Sequence, residues 1–138
     1  MITTTLPPLS DDEFLKQFED NSLPPEYFSH LGHLRLAWLY VTKHDLDSAI
    51  SKTCDGIKSY AESLGAHDKF HYTMTHAFVK IIHQRMLDQG DHGWREFLNR
   101  NQDLVNTAAE VLLQYFREET LFSKNARKQL VSADLMPL

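Results

Sequence analysis

A single cysteine, Cys54, rules out an internal disulfide, so packing alone must hold this chain together. Such sparing cysteine use suits a reducing compartment. Glycine and proline number five each in 138 residues, which leaves few interruptions for long regular elements. No stretch reaches the roughly 18 consecutive apolar residues that a membrane span requires, so no membrane association is expected. The opening segment, MITTTLPPLSDDEF, lacks a basic region followed by an apolar one and does not read as a secretory signal. Together these features predict a cytoplasmic protein. Clustered lysine and arginine are also missing, and the net charge is −5, so nucleic acid is not an expected partner. There is no P-loop, no glycine-rich dinucleotide loop and no Ser-His-Asp order.

What the chain does contain is helical periodicity. An apolar fraction of 42% over 138 residues supports one domain with a substantial core. No segment alternates polar and apolar residues over strand length. The expected fold is all-α: a compact single-domain bundle of four main helices plus short ones, spanning 1–138, with 1–8 as a loose lead-in. Ser10 and Glu13 form a capping box before a short helix that Pro24 and Pro25 stop. Ser29 caps a helix over 30–43, apolar around most of its circumference. Asp45 or Asp47 opens a third helix with Ile50, Cys54 and Ile57 on one stripe and Gly65 at its end. A fourth is expected over 69–88, capped by Asp68 and ending at Gly90. A short helix near Trp94, an amphipathic helix over 102–118 and a last short helix over 124–131, capped by Ser123, follow. The apolar tail then packs along the body.

Eight histidines are spread along the chain, and their positions suggest chemistry. On the second helix His30, His33, Ala37, Tyr40 and His44 share a face at 100° per residue. Two histidines at i and i+3 can point into one space, and imidazole is a common ligand for Zn, Fe and Cu. Arg35, in the same segment, either pairs with a carboxylate such as Glu26 or holds an anionic substrate. On the fourth helix His71, Thr75, Phe78, Ile82 and Arg85 share a face. There His71 is expected in the first turn, where the helix dipole favours neutral imidazole and Lys69 adds a cation for an anion. His76 and His83 lie on another face, while Cys54, Trp38 and Trp94 read as packing residues. His67-Asp68 matches the dipeptide of the HD phosphohydrolases, but it follows Ser-Leu-Gly-Ala rather than an apolar helical run.

Three segments, FSHLGHLRLAWLYV, GAHDKFHYTMTHAF and LFSKNARKQLVSADLMPL, carry a wider pattern. F-x-H-x-x-H-L-R-x-A-W-x-Y, K-[FY]-H-x-T-x-T and S-x-x-A-R with D-L-x-P-L resemble a family of small bacterial and fungal proteins. The resemblance runs from about Phe28 to the end and carries no reaction with it. It implies that His30, His33, Arg35, Lys69, His71, Thr73, Thr75, Ser123 and Arg127 act as one group.

The leading expectation is a small metal-dependent enzyme acting on a polar or anionic small molecule. His30, His33 and His71 would ligate a divalent transition metal (Zn, Fe or Cu), converging within about 5 Å of one point. Tyr40 or Thr75 would orient ligands or move a proton, and Arg35, Lys69, Thr73, Ser123 and Arg127 would bind substrate. The alternative is a non-catalytic module that binds an anionic ligand or cofactor with the same cluster. A third reading is a purely structural protein. Homo-oligomer formation is compatible with each.

Overall fold

Ser10 starts the first helix as expected: its side chain accepts from the Glu13 amide while Glu13 reaches back to the Ser10 amide. The computed structural model describes residues 6–138; residues 1–5 and the side chain of His67 lie outside the described residues. Nine α-helices and no strand occur among them. These are α1 (Asp11–Glu19), α2 (His30–Lys43), α3 (Leu46–Ser63), α4 (Tyr72–Gln89), α5 (Trp94–Arg100), α6 (Gln102–Asn106), α7 (Ala108–Leu112), α8 (Glu118–Leu121) and α9 (Lys124–Lys128). The all-α expectation holds.

Helices α2, α3 and α4 pack on one another and form the body of the bundle. Leu34, Leu36 and Leu39 of α2 meet Ile57 and Tyr60 of α3 and Val79, Ile81 and Ile82 of α4 in one core. The near-complete apolar girdle of α2 explains its central position. Helix α1 lies on α3 through Phe18, whose ring occupies the space a side chain at Gly56 would need: a Cβ there would sit 2.7 Å from that ring. Where a Cβ on Gly32 would go stands the Tyr27 backbone carbonyl, so only glycine permits the turn at 25–27 to abut α2. Residues 6–10 are less loose than expected, because the Tyr27 hydroxyl bonds to Pro7 O and Arg35 donates to Leu9 O at 2.8 Å.

Three boundaries differ from expectation. The amphipathic run 102–118 is not one helix. Thr107, at φ −138° and ψ 43°, separates α6 from α7, and the chain leaves helical geometry again before α8. The fourth helix begins at Tyr72 rather than at 69, because 67–69 forms a separate 3₁₀ turn closed by Lys69 N–H to Ala66 O at 2.9 Å. The last helix stops at Lys128. The tail returns to the body through its backbone, with the Leu135 amide bonding to Tyr115 O at 2.9 Å, but Leu135 and Met136 leave their side chains exposed.

Candidate functional site

Ser29 ends the turn before α2 and accepts from the Gly32 amide, which places His30 and His33 in the first turn of the helix. A carbonyl oxygen can only accept, so each of these rings must present an N–H to its carbonyl partner. Nδ1 of His33 donates to Ser29 O at 2.9 Å, and the ring stacks on Phe28 with centroids 3.9 Å apart. Nε2 of His30 donates to Leu104 O at 2.7 Å, and the ring meets the edge of Phe78. Among the described residues nothing bonds to the other nitrogen of either ring, which in the neutral form is a lone-pair acceptor. Burial lowers the pKa of His33, a shift opposed by its bond to Ser29 and reinforced by the charge of His30. The residue remains exposed, so water screens part of that penalty.

His71 is not in a first helical turn but is the N-cap of α4 itself. Its Nδ1 accepts from the Met74 amide at 3.1 Å, the role usually taken by Ser or Asp, and its Nε2 donates to Leu121 O at 2.7 Å. Both nitrogens are therefore committed, and the tautomer is set. Burial is the main reason its pKa is lowered, and the nearby charge of Arg127 lowers it further. The backbone of α4 closes over the cap, with Thr75 donating to His71 O at 2.8 Å.

These histidines do line one void. A cavity of about 390 Å³ lies between α2, α3 and α4. Its mouth carries His30, His33, Ser29 and Lys69, all exposed. Leu34, Ala37 and Ile57 form a buried apolar floor, with Phe70, Met74 and Phe78 on the walls. Thr53 and Thr75 also face it, but both donate their hydroxyl protons to backbone carbonyls one turn back. The interior is thus chiefly apolar and the rim polar. Among the described residues no carboxylate or thiol lines it.

The donor set does not fit the three-histidine metal site. His71 has no free lone pair to offer, because both of its ring nitrogens are hydrogen-bonded. His30 and His33 each keep one ring nitrogen without a partner among the described residues. Each has one nitrogen oriented by a carbonyl, as ligating histidines commonly do.

Other expected site residues stand elsewhere. Arg35 pairs with Asp11 at 2.8 Å rather than with Glu26, and its guanidinium lies 4.6 Å from the Phe14 ring centre, so it fastens α1 to α2. Tyr40 is buried and donates to Glu19 at 2.7 Å; burial and that carboxylate push its pKa upward, away from proton transfer near neutrality. Thr73 is fully buried and clamps the segment after α9: it donates to Gln129 O at 2.8 Å and accepts from the Val131 amide. Ser123 caps α9 by accepting from the Ala126 amide at 3.1 Å. Arg127 bonds to Asp68 O and faces a different cleft. Of the group implied by the resemblance, the cavity therefore gathers His30, His33, Lys69, His71 and Thr75.

Thr53, Ile57 and Met74 also line the cavity although on a helical stripe they are indistinguishable from core, and Phe28 joins them from the loop before α2. The sequence reading missed Asn101, a buried hub that accepts from Arg85 and Gln89 at 3.0 Å each and donates to Phe97 O at 2.7 Å. Nothing local marks that residue. Compared with known proteins, the chain matches no protein-family model, no curated protein and no solved structure. No helix among the described residues is long and apolar enough to cross a membrane.

Proposed function

We propose that the cavity between α2, α3 and α4 binds a small amphipathic molecule whose anionic or polar end rests at the rim. The observation that carries this reading is the separation of chemistry within one void of about 390 Å³. Binding pockets for small molecules run from about 300 Å³ upward, with apolar walls and few, well-placed polar groups. Lys69 supplies the charge for an anion, and the unbonded ring nitrogens of His30 and His33 at the mouth supply polar partners. The floor suits an aliphatic or aromatic body. Among the described residues no carboxylate lines the void to oppose an anion.

Octanoate and 1-octanol, titrated calorimetrically into the untagged protein, test this. Octanoate should bind about tenfold tighter or better, and Lys69→Glu should erase the difference. Ala37→Leu, which fills the floor, should weaken both. Equal affinity for the two in the unaltered protein would overturn the reading.

A second reading keeps a metal-dependent enzyme, with His30 and His33 as ligands and water or substrate completing the sphere. The anchoring of both rings on backbone carbonyls favours it. Cobalt(II) absorption is the measurement: a d–d band lost in His33→Ala and kept in His71→Asn supports it, and no band in the unaltered protein removes it.

A further inference from the structure

Helix α9 has only five residues, far too few to persist on its own. Three side chains hold its surroundings in place. Ser123 caps it, Thr73 grips the chain just beyond it, and His71 ties down α8 just before it. Two of the three come from one short stretch of α4 and its cap. This effort holds a segment whose outer residues are Lys124, Arg127 and Lys128.

Those three cations form one wall of a cleft of about 550 Å³, and Lys58 of α3 stands among the residues of the facing side. None of the four is in an ion pair among the described residues. Two carboxylates, Asp55 and Asp68, share the cleft, so cations outnumber anions two to one there in a chain of net charge −5. Phe70 and Tyr72 provide an aromatic surface with rings edge to face, 6.2 Å apart. Arg127 is braced by its bond to Asp68 O, which holds the guanidinium at the cleft.

We propose that this cleft is a second binding site, distinct from the histidine cavity, for a phosphorylated small molecule that carries an aromatic ring. With Asp55 and Asp68 counted the cleft carries a formal charge of +2, of which a single carboxylate would balance only half. A phosphomonoester brings nearly two negative charges at neutral pH and three acceptor oxygens. Arginine pairs with phosphate through two parallel N–H bonds, and lysines add point charges. The ring of the ligand lies against Phe70 and Tyr72, as bases lie on aromatic side chains in nucleotide sites. The four cations of this cleft lie outside the lining of the histidine cavity, and Phe70 is the residue the two share.

Adenosine monophosphate, adenosine and inorganic phosphate, titrated into the full chain, test the proposal. The monophosphate should bind at least about tenfold tighter than either of the others, and added salt should weaken it. Lys124→Gln with Lys128→Gln, both exposed and outside the core, should cost about tenfold or more. Thr73→Val should weaken binding while every charge remains, because α9 loses its clamp. A monophosphate no tighter than adenosine, or affinity unmoved by the paired lysine change, would overturn the proposal. So would binding seen only with a long single-stranded oligonucleotide, which would assign the charge to a polymer. Octanoate affinity should be unchanged by the lysine pair, so the two sites can fail separately.

Discussion

The first 89 residues and the last 49 are built by different means. Up to Gln89, helices of 9 to 18 residues bury continuous apolar faces, with side-chain caps at Ser10, Ser29 and Asp45 and a few longer bonds such as Tyr40 to Glu19 and Tyr60 to Leu23 O. Beyond it, no helix exceeds seven residues. There the chain is held by individual long-range bonds: His30 to Leu104, His71 to Leu121, Thr73 to Gln129, Arg85 to Asp103 and Asn101. Asp134 belongs to the same set, accepting from the Arg117 amide at 2.8 Å and from Thr120. The contrast shows that a rigid body can organise a chain segment that has little helix-forming strength of its own. It does so with polar side chains in addition to the apolar area of Leu104, Leu112, Phe116 and Leu121.

If that contrast is right, the two regions should respond differently to damage. The largest effect is expected from Leu36→Ala, at a fully buried position on α2. It should cost about 2–5 kcal/mol in chemical denaturation, and the whole transition should move as one. A loss confined to one region would break the comparison. Thr73→Val should cost less, about 1–3 kcal/mol, because it preserves shape but strips partners from Gln129 O and the Val131 amide. Hydrogen exchange should rise over 124–131 while α2 and α3 keep their protection; uniform acceleration would count against a separately held segment.

The smallest effect concerns acidity. The folded-state pKa of His71 is lowered, chiefly by burial, so the folded protein takes up this proton less readily than the unfolded chain. Its stabilising contribution is complete above the unfolded value of about 6.5 and fades as pH falls through the lower folded value. His33 and His76 are shifted in the same direction by burial. Stability should therefore drop as pH falls below about 6.5. His71→Asn, which retains a capping oxygen but no titrating ring, should flatten that slope in part. An unaltered slope would mean that the cap tolerates protonation.

Much of this was legible from residues alone, where the signal was local. Ser10, Ser29, Asp45 and Ser123 cap the helices they precede, because a side-chain oxygen before an apolar run satisfies nearby amides whatever the rest of the fold does. Helical spacing put His30 and His33 on one face, the resemblance grouped His71 with them, and all three line one void. The role of His71 was not legible. Asp68 is the stronger capping residue by type, but the 3₁₀ turn at 67–69 uses up that stretch and passes the cap to an imidazole. The break at Thr107 was hidden for a related reason. Val105, Ala108, Ala109, Leu112 and Phe116 keep helical spacing across it, while the departure at Thr107 and the bond from His30 to Leu104 O just before it are visible only in the fold. Arg35 and Tyr40 read as chemistry because they flank histidines, yet each has a carboxylate from α1 or its end as partner.

Phe70 borders both the histidine cavity and the basic cleft. One phenyl group is the partition between two chambers. A guest that pushes it aside in one chamber necessarily reshapes the other. Residue 70 is therefore the place where a change of size would be felt twice, and neither chamber can be resized there independently of its neighbour.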